Sequence, residues 1–433
     1  MSLGTKGLIG LAAGLVCGAA IAASRNTTLV GIGDAIELVG KLWINAILMT
    51  IVPLVFAKLF VSIAGTDDTH AIGKAGKRAA VIFIALLTVT ATMAALAMPM
   101  VFARLPIDGG ASATLRAGIA ATAAEPPSAS EWIVAMIPTN AIKAAADGAM
   151  VPLLVFAIAF AFGATRIGDL QRRTLVQFFQ SVDAAISVLL RWIVAFSPYG
   201  VFALGLGLAM RVGGNIVSAL GYYVLVSSIS LILITGLLYA VVAFGARISP
   251  RRFANASAPA QIVALSTHSS AASLPAMLAG AERLGLPKTS TGFVLPLSLA
   301  VFKYSSPVWF IVAAYFVAHL YGVPIPPSRV FPIVLTSVVT SFAVGGVPSG
   351  AAVMLAPVLL AAGLPVEAMG LLLAVDPIPN AFRTVANVTG MLAVTAPSSK
   401  GRGQKAESRS TTDQNTLLPS ALCPLPSEDR SLL

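Results

Sequence analysis

The stretch 374-AVDPIPNAFRTVANVTG-390 decides the reading of this chain. It lies in a long apolar run, yet Asp376, Asn380, Arg383 and Asn387 interrupt that run at spacings of four, three and four. At about 100° per residue the four side chains fall within roughly 60° of one helix face, so their polar atoms form a stripe. In lipid, a lone Arg or Asp at mid-depth costs about 2.5–3.5 kcal/mol even on the lenient insertion scale. The stripe must therefore face protein, ligand or water. A buried ion pair that only holds helices together would produce it. So would a substrate pathway, which is the default for intramembrane ionisable residues.

Composition puts the rest of the chain in a membrane. Residues are 57% hydrophobic and 10% charged, with a mean hydropathy of +0.89, against roughly 25% charged in soluble domains. The apolar runs are continuous rather than alternating every second residue, which argues for helical spans and against an outer-membrane barrel. A net charge of +11 could suggest nucleic acid, but its distribution argues otherwise. Lys74, Lys77 and Arg78 follow the second run, Arg166, Arg172 and Arg173 the fourth, Arg247, Arg251 and Arg252 the sixth, and Lys400, Arg402, Lys405 and Arg409 the last. Alternate loops carry the charge, which is the positive-inside pattern with both termini cytoplasmic. Cys17 and Cys423 offer no disulfide framework, and three scattered histidines offer no metal site. No nucleophile–base pair or phosphate loop suggests an enzyme, and no cofactor is expected.

Residues 1–103 read as spans one to three, 104–131 as an external loop, and 132–245 as spans four to six, the fifth broken at Ser197-Pro198-Tyr199-Gly200. In the second span, Lys58 reads as snorkelling to the cytoplasmic surface. The segment 252–287 is two short apolar pieces around Ser266-Thr267-His268-Ser269-Ser270, too short for two spans and too polar in the middle for one. The segment 328–365 repeats this design around Gly345-Gly346-Val347-Pro348-Ser349-Gly350. Each is followed by a full span with charge at its centre, 288–321 with Lys303 and 366–395 with the stripe. This is a repeated unit of re-entrant hairpin plus helix. Residues 396–433 form a polar tail, expected to be disordered and cytoplasmic. The expected fold is all-α and polytopic, with about eight transmembrane helices plus two re-entrant hairpins. Paired broken segments point to a transporter's binding site, because a hairpin tip leaves backbone N–H groups free to bind an anion. Small residues at the tips would equally serve close helix packing.

Several motifs carry a more specific signal: IPTN at 137–140, SPYGVFAL at 197–204, the serine-rich tip with LPAM at 274–277, GVPSGAAVML at 346–355 and RTVANVTG at 383–390. Through them the chain resembles the dicarboxylate/amino acid:cation symporters, the family of the sodium-coupled glutamate and aspartate transporters, over about 8–396. The resemblance implies an inverted-repeat fold and a homotrimer. It also implies a scaffold of helices one, two, four and five holding a mobile domain of helices three, six, seven, eight and both hairpins, which moves as an elevator. By position, Arg383 matches the arginine that receives the substrate's distal carboxylate, with Thr384 and Asn387 at substrate-contacting positions beside it. Ser269 and Ser270 match the first hairpin's serine tip, and the stretch containing Val347 and Gly350 matches the second hairpin's gate. Ser306 stands where a threonine hydroxyl usually meets the substrate.

The departures matter as much. Where the family has Asn-Met-Asp-Gly-Thr, supplying sodium ligands, this chain has Phe302-Lys303-Tyr304-Ser305-Ser306. The aspartate that takes the substrate's ammonium is Asn380, and the later sodium-binding aspartate is Met391. Sodium needs a hard, mostly anionic oxygen cage, so the expectation is a sodium-independent transporter. Lys303 and Arg383 against Asp376 leave an unliganded site net positive, which would repel a further cation. Lys303 would act as a tethered cation in place of sodium, paired with Asp376, and could load and release a proton. His268 is a second candidate proton carrier. Arg383 offers a fork suited to a carboxylate, and Asn380 lacks the charge to hold an ammonium. The expected substrate is therefore a small acid, a C4-dicarboxylate or an acidic amino acid, accompanied by protons. A sodium-coupled symporter, or an uncoupled anion channel or receptor on the same fold, is the alternative. Expected partners are the lipid bilayer of the cell's inner membrane and two further copies of the chain.

Overall fold

The computed structural model describes residues 3–65, 74–105, 134, 136–147, 149–212, 215–344, 351 and 354–398. Most of the 104–131 loop, the tip of the second hairpin with Val347 and Gly350, and nearly all of the 396–433 tail lie outside these residues. Among the described residues the chain is helical, with no strand.

The helices pack as two bundles. The first contains α1 (Leu3–Ser24), α2 (Thr27–Ala64), α5 (Met150–Ala164, preceded by the short α4, Ala141–Ala146), α6 (Asp169–Ala195) and α7 (Ser197–Val212). Asn26 starts α2 by accepting from the Thr28 N–H at 2.9 Å, satisfying a donor the first turn leaves orphaned. Along α1, Gly10, Gly14 and Gly18 face the carbonyls of Pro198, Phe202 and Leu206 on α7, and a Cβ at Gly10 would stand 2.5 Å from Pro198 O. Small residues every fourth position thus let the two backbones close on each other. Lys58 of α2 does more than snorkel: its ammonium lies 2.8 Å from Asp183 of α6.

The second bundle contains α3 (Lys74–Phe102), α8 (Asn215–Val241, continued by a π turn over Val242–Ala246) and the helices from Pro250 to Ser398 apart from Met369–Val375. At its centre α12 (Ser306–Leu320) is buried on all sides, as expected of a helix that is apolar all round. Among the described residues, five helices are long and apolar enough to cross a membrane: Thr5–Ser24, Thr27–Ala64, Arg78–Phe102, Asp169–Ala195 and Ile216–Ala246. Their outward faces are apolar, with Leu42, Leu96, Met100 and Leu233 at 59%, 67%, 71% and 68% exposure. A soluble surface rarely carries apolar area on that scale.

Two hairpins follow. In the first, α9 (Pro250–Thr267) and α10 (Leu274–Arg283) pack together across the turn at His268–Ser273. In the second, α13 (Pro327–Ser341) and α14 (Ala356–Ala362) pack together. Their bases are built alike. Arg252 donates to Leu284 O at 3.3 Å in the first, and Arg329 donates to Ala362 O at 2.7 Å in the second. Each second arm is followed by a left-handed glycine, Gly285 at φ 74° and Gly363 at φ 70°, the conformation that costs glycine least.

The structure differs from the sequence reading in two spans. The segment 288–321 is two helices, α11 (Lys288–Val301) and α12, with Phe302–Ser305 unwound between them and Pro307 opening α12. The segment 366–395 is a 3-10 turn (Val366–Ala368), α15 (Met369–Val375) and α16 (Pro377–Ser398), jointed at Asp376. Pro377 has no N–H to carry the helical ladder across that joint. Only α16 belongs to the second bundle; α15 packs against α7 and α1 of the first.

Candidate functional site

The unwound segment Phe302–Ser305 is the local feature that builds the site. Non-helical backbone at membrane depth is tolerated only where protein or a cavity surrounds it, and Phe302, Lys303, Tyr304 and Ser305 are all buried. Neighbouring α16 pins the segment: Asn387 Oδ1 accepts from both the N–H of Ser305 at 2.9 Å and its hydroxyl at 3.0 Å. Gly390 lets the helix approach, since a Cβ there would lie 3.0 Å from Tyr304 Cβ. The Asn387 carbonyl, expected beside a substrate, is thus committed to holding the break.

One turn earlier on α16 sits Arg383, 3% exposed. Its Nη2 donates to Asp376 Oδ2 at 3.0 Å and to Asn380 Oδ1 at 2.7 Å. The guanidinium carbon lies 4.3 Å from the centre of the Trp309 ring on α12, a cation–π seat. Three members of the stripe therefore meet, with Asp376 paired to Arg383 and not to Lys303. Arg383 Nη1, Asp376 Oδ1 and the Ser306 hydroxyl are buried with no hydrogen-bond partner among the described residues. These are the free polar atoms that a carboxylate-bearing ligand would find. The Thr384 hydroxyl donates to Asn380 O at 2.8 Å and is spent on its own turn.

Lys303 is 7% exposed, and its ammonium donates to Leu299 O at 2.9 Å. No carboxylate lies within 4.0 Å of it among the described residues. Its chain neighbours in the unwound segment, Phe302 and Tyr304, are both rings. Phe302 stacks on Phe83 of α3 with centroids 4.2 Å apart and planes 15° from parallel. Tyr304 is fully buried and donates to Ile234 O at 3.0 Å. Met391 is also fully buried. Among the described residues, no three His, Cys, Asp or Glu side chains gather as a metal site would need.

At the first hairpin's tip, His268 ends α9 in the left-handed conformation, φ 53°, and is exposed. Both arms of this hairpin pack against α16, which brings the tip to the helix that carries the stripe. Ser269 and Ser270 are half-buried. Ser269 organises the turn itself, its hydroxyl accepting from the Ala272 N–H at 3.2 Å and its carbonyl from the Ser273 hydroxyl at 3.0 Å. A cavity of about 360 Å³ lies elsewhere, between the hairpin-one arms, lined by Ser249, Arg251, Arg252, Asn255, Ala256 and Arg283. Sequence reasoning missed Trp309 and Phe83. Both stand in apolar runs where an aromatic reads as core, and only the spacing of Trp309, three residues past Ser306, hinted at a shared face.

Several proteins are similar to this chain in sequence over most of their length. A "Proton/sodium-glutamate symport protein" of Geobacillus stearothermophilus is 27% identical over 405 residues, covering 93% of this chain and 94% of that protein. A "Proton/glutamate-aspartate symporter" of Escherichia coli (strain K12) is 28% identical over 357 residues, covering 81% and 82%. A "C4-dicarboxylate transport protein" of Leptothrix cholodnii is 27% identical over 373 residues, covering 83% and 80%. Residues 3–400 match the sequence model of the sodium:dicarboxylate symporter family, so this chain belongs to that family of membrane transporters and is not an enzyme.

Proposed function

We propose that this protein is a sodium-independent, proton-coupled symporter of a small acidic substrate, a C4-dicarboxylate or an acidic amino acid. The observation that carries the reading is Lys303, a buried ammonium whose partner is one backbone carbonyl, in a segment closed by the Phe302–Phe83 stack and Tyr304. A fixed cation stands where coupling through a mobile one would need oxygen ligands; Phe302 and Phe83 supply none, and the Tyr304 hydroxyl is spent on Ile234 O. Arg383, with Nη1 unpaired, would receive the substrate's carboxylate, and Ser306 would donate to it. Asn380, Asn387 and Thr384 would line the site beside them, with Ser269 and Ser270 closing it from one side and the second hairpin, at Val347 and Gly350, from the other. His268 and Asp376 would share proton traffic with Lys303.

The packing into two bundles supports an elevator. In it α1, α2, α5, α6 and α7 form the scaffold of a homotrimer in the cell's inner membrane, with both termini cytoplasmic, and the second bundle carries the site. The relatives' names, two of which include glutamate, one sodium and one C4-dicarboxylate, make a sodium-coupled symporter the second reading. The deciding experiment is uptake of radiolabelled succinate and aspartate into proteoliposomes, with sodium or choline outside, with and without an inward proton gradient. Uptake that persists in choline and rises with the gradient is the expected result. Strict sodium dependence would overturn the reading, and accumulation no higher than equilibrium would mean an uncoupled pathway.

A further inference from the structure

The Trp309 ring that seats Arg383 has a second, unused feature. Its indole N–H is buried with no hydrogen-bond partner among the described residues. It faces α8, whose orphaned hydroxyls include those of Tyr223 and Ser227, at 0% and 1% exposure. The Tyr223 hydroxyl lies close to both the Ser227 hydroxyl and Trp309 Nε1 without closing a hydrogen bond to either, and within electrostatic reach of Asp376 and Arg383. The Tyr223 ring leans on Phe316 of α12, centroids 4.8 Å apart, so the residue is already packed against the helix that carries Trp309. Three buried polar groups this near one another do not normally all stay open, because a buried unpaired N–H or O–H costs about 1–3 kcal/mol.

We propose that Tyr223 is a positioning residue for Arg383: its hydroxyl accepts the Trp309 N–H and donates to Ser227, fixing the indole on which the guanidinium rests and so aiming the free Nη1 at the substrate's carboxylate. The direction of the chain follows from the groups present. An indole nitrogen can only donate, a phenol can do both, and a serine hydroxyl can accept. Tyr223 touches no substrate in this scheme. It acts by holding the ring, and the ring holds the fork, whose orientation decides how well it matches a planar carboxylate. The inference rests on the proposed role of Arg383 as the substrate's partner.

The test uses the full-length protein in nanodiscs, with binding of aspartate compared with asparagine, and succinate compared with its monoamide. Tyr223→Phe keeps the ring and removes the hydroxyl; Trp309→Phe keeps an aromatic face and removes the N–H. Each single variant should weaken binding of the acid about fivefold, the value of one neutral hydrogen bond. The weakening should be smaller for the amide, which makes no charged contact with Arg383, so the acid-to-amide preference falls. The double variant should also lose about fivefold rather than the product of the two, because both remove the same bond. Unchanged acid-to-amide preference in Tyr223→Phe, or multiplicative losses in the double variant, would overturn the inference. Arg383→Lys serves as the control. If it leaves acid binding unchanged, the role of Arg383 fails and the inference with it. If it weakens the acid while Tyr223→Phe does nothing, only the role of Tyr223 fails.

Discussion

Replacing Lys303 with methionine separates what the residue contributes to folding from what it contributes to transport, because the two effects have opposite signs. The side chain is 7% exposed and its ammonium has one described partner, Leu299 O at 2.9 Å. Burying an ion costs several kcal/mol after relaxation, and one charge-assisted hydrogen bond returns about 1.5–3 kcal/mol. Methionine fills a similar volume, buries a flexible apolar chain and leaves no charge behind. The Leu299 carbonyl, in the last turn of α11, gives up that donor, a loss already counted in the value of the bond. The variant should therefore be more stable by about 1–3 kcal/mol, the balance of those two terms. The assay is thermal melting in nanodiscs without substrate, run beside proteoliposome uptake on the same preparation. The expected pair of results is a melting point a few degrees higher and uptake abolished. A variant that is less stable than the parent would mean that Lys303 has an anionic partner in the folded state. One that transports at the parental rate would refute the tethered-cation role outright.

Arg383→Lys replaces a fork with a point charge and should raise the dissociation constant for succinate or aspartate more than thirtyfold, since losing a buried charged pair costs about 2–5 kcal/mol; equilibrium binding checks it. Sodium titrated from zero to molar excess should leave the melting point unchanged relative to choline, whereas a bound ion at a hundred times its dissociation constant would add about 2.7 kcal/mol. Phe83→Ala removes the ring stacked on Phe302 at 4.2 Å and should cost about 3–5 kcal/mol by denaturation. Gly10→Leu should loosen α1 from α7, where a Cβ would already stand 2.5 Å from Pro198 O. It should lower the melting point while leaving substrate affinity as it was, a split visible by measuring both on one sample.

The sequence carried the class and the polar stripe because both are local. A face repeats every three or four residues whatever packs against it, so Asp376, Asn380 and Arg383 could be grouped before any contact was known. The unwinding of Phe302–Ser305 was not legible, since Phe, Lys and Tyr are not helix breakers and Pro307 is at home in a first helical turn. Nor was the pairing of Asp376. From charge alone Lys303 was as good a partner as Arg383, and only the helical register puts the arginine within 3.0 Å. The carbonyl of Asn387 looked free for a ligand because its partner, Ser305, lies 82 positions away. Trp309 and Tyr223 were hidden for a related reason: in an apolar run an aromatic ring carries no mark of what its polar edge faces.

The stacking of Phe302 on Phe83 also bears on how this protein could change over generations. The two rings come from different helices and fill one space, so neither can be exchanged alone without penalty. An asparagine at position 302 would leave a buried amide against the face of Phe83, and a polar residue at position 83 would meet the ring of Phe302. Lys303 and Tyr304, immediately beside them, would repel or crowd any ion admitted by a single replacement. A chain with only one of the two rings replaced is therefore less fit to fold than one with both or neither replaced. The arrangement works as an interlock: converting this space to an oxygen-lined one requires several changes at once.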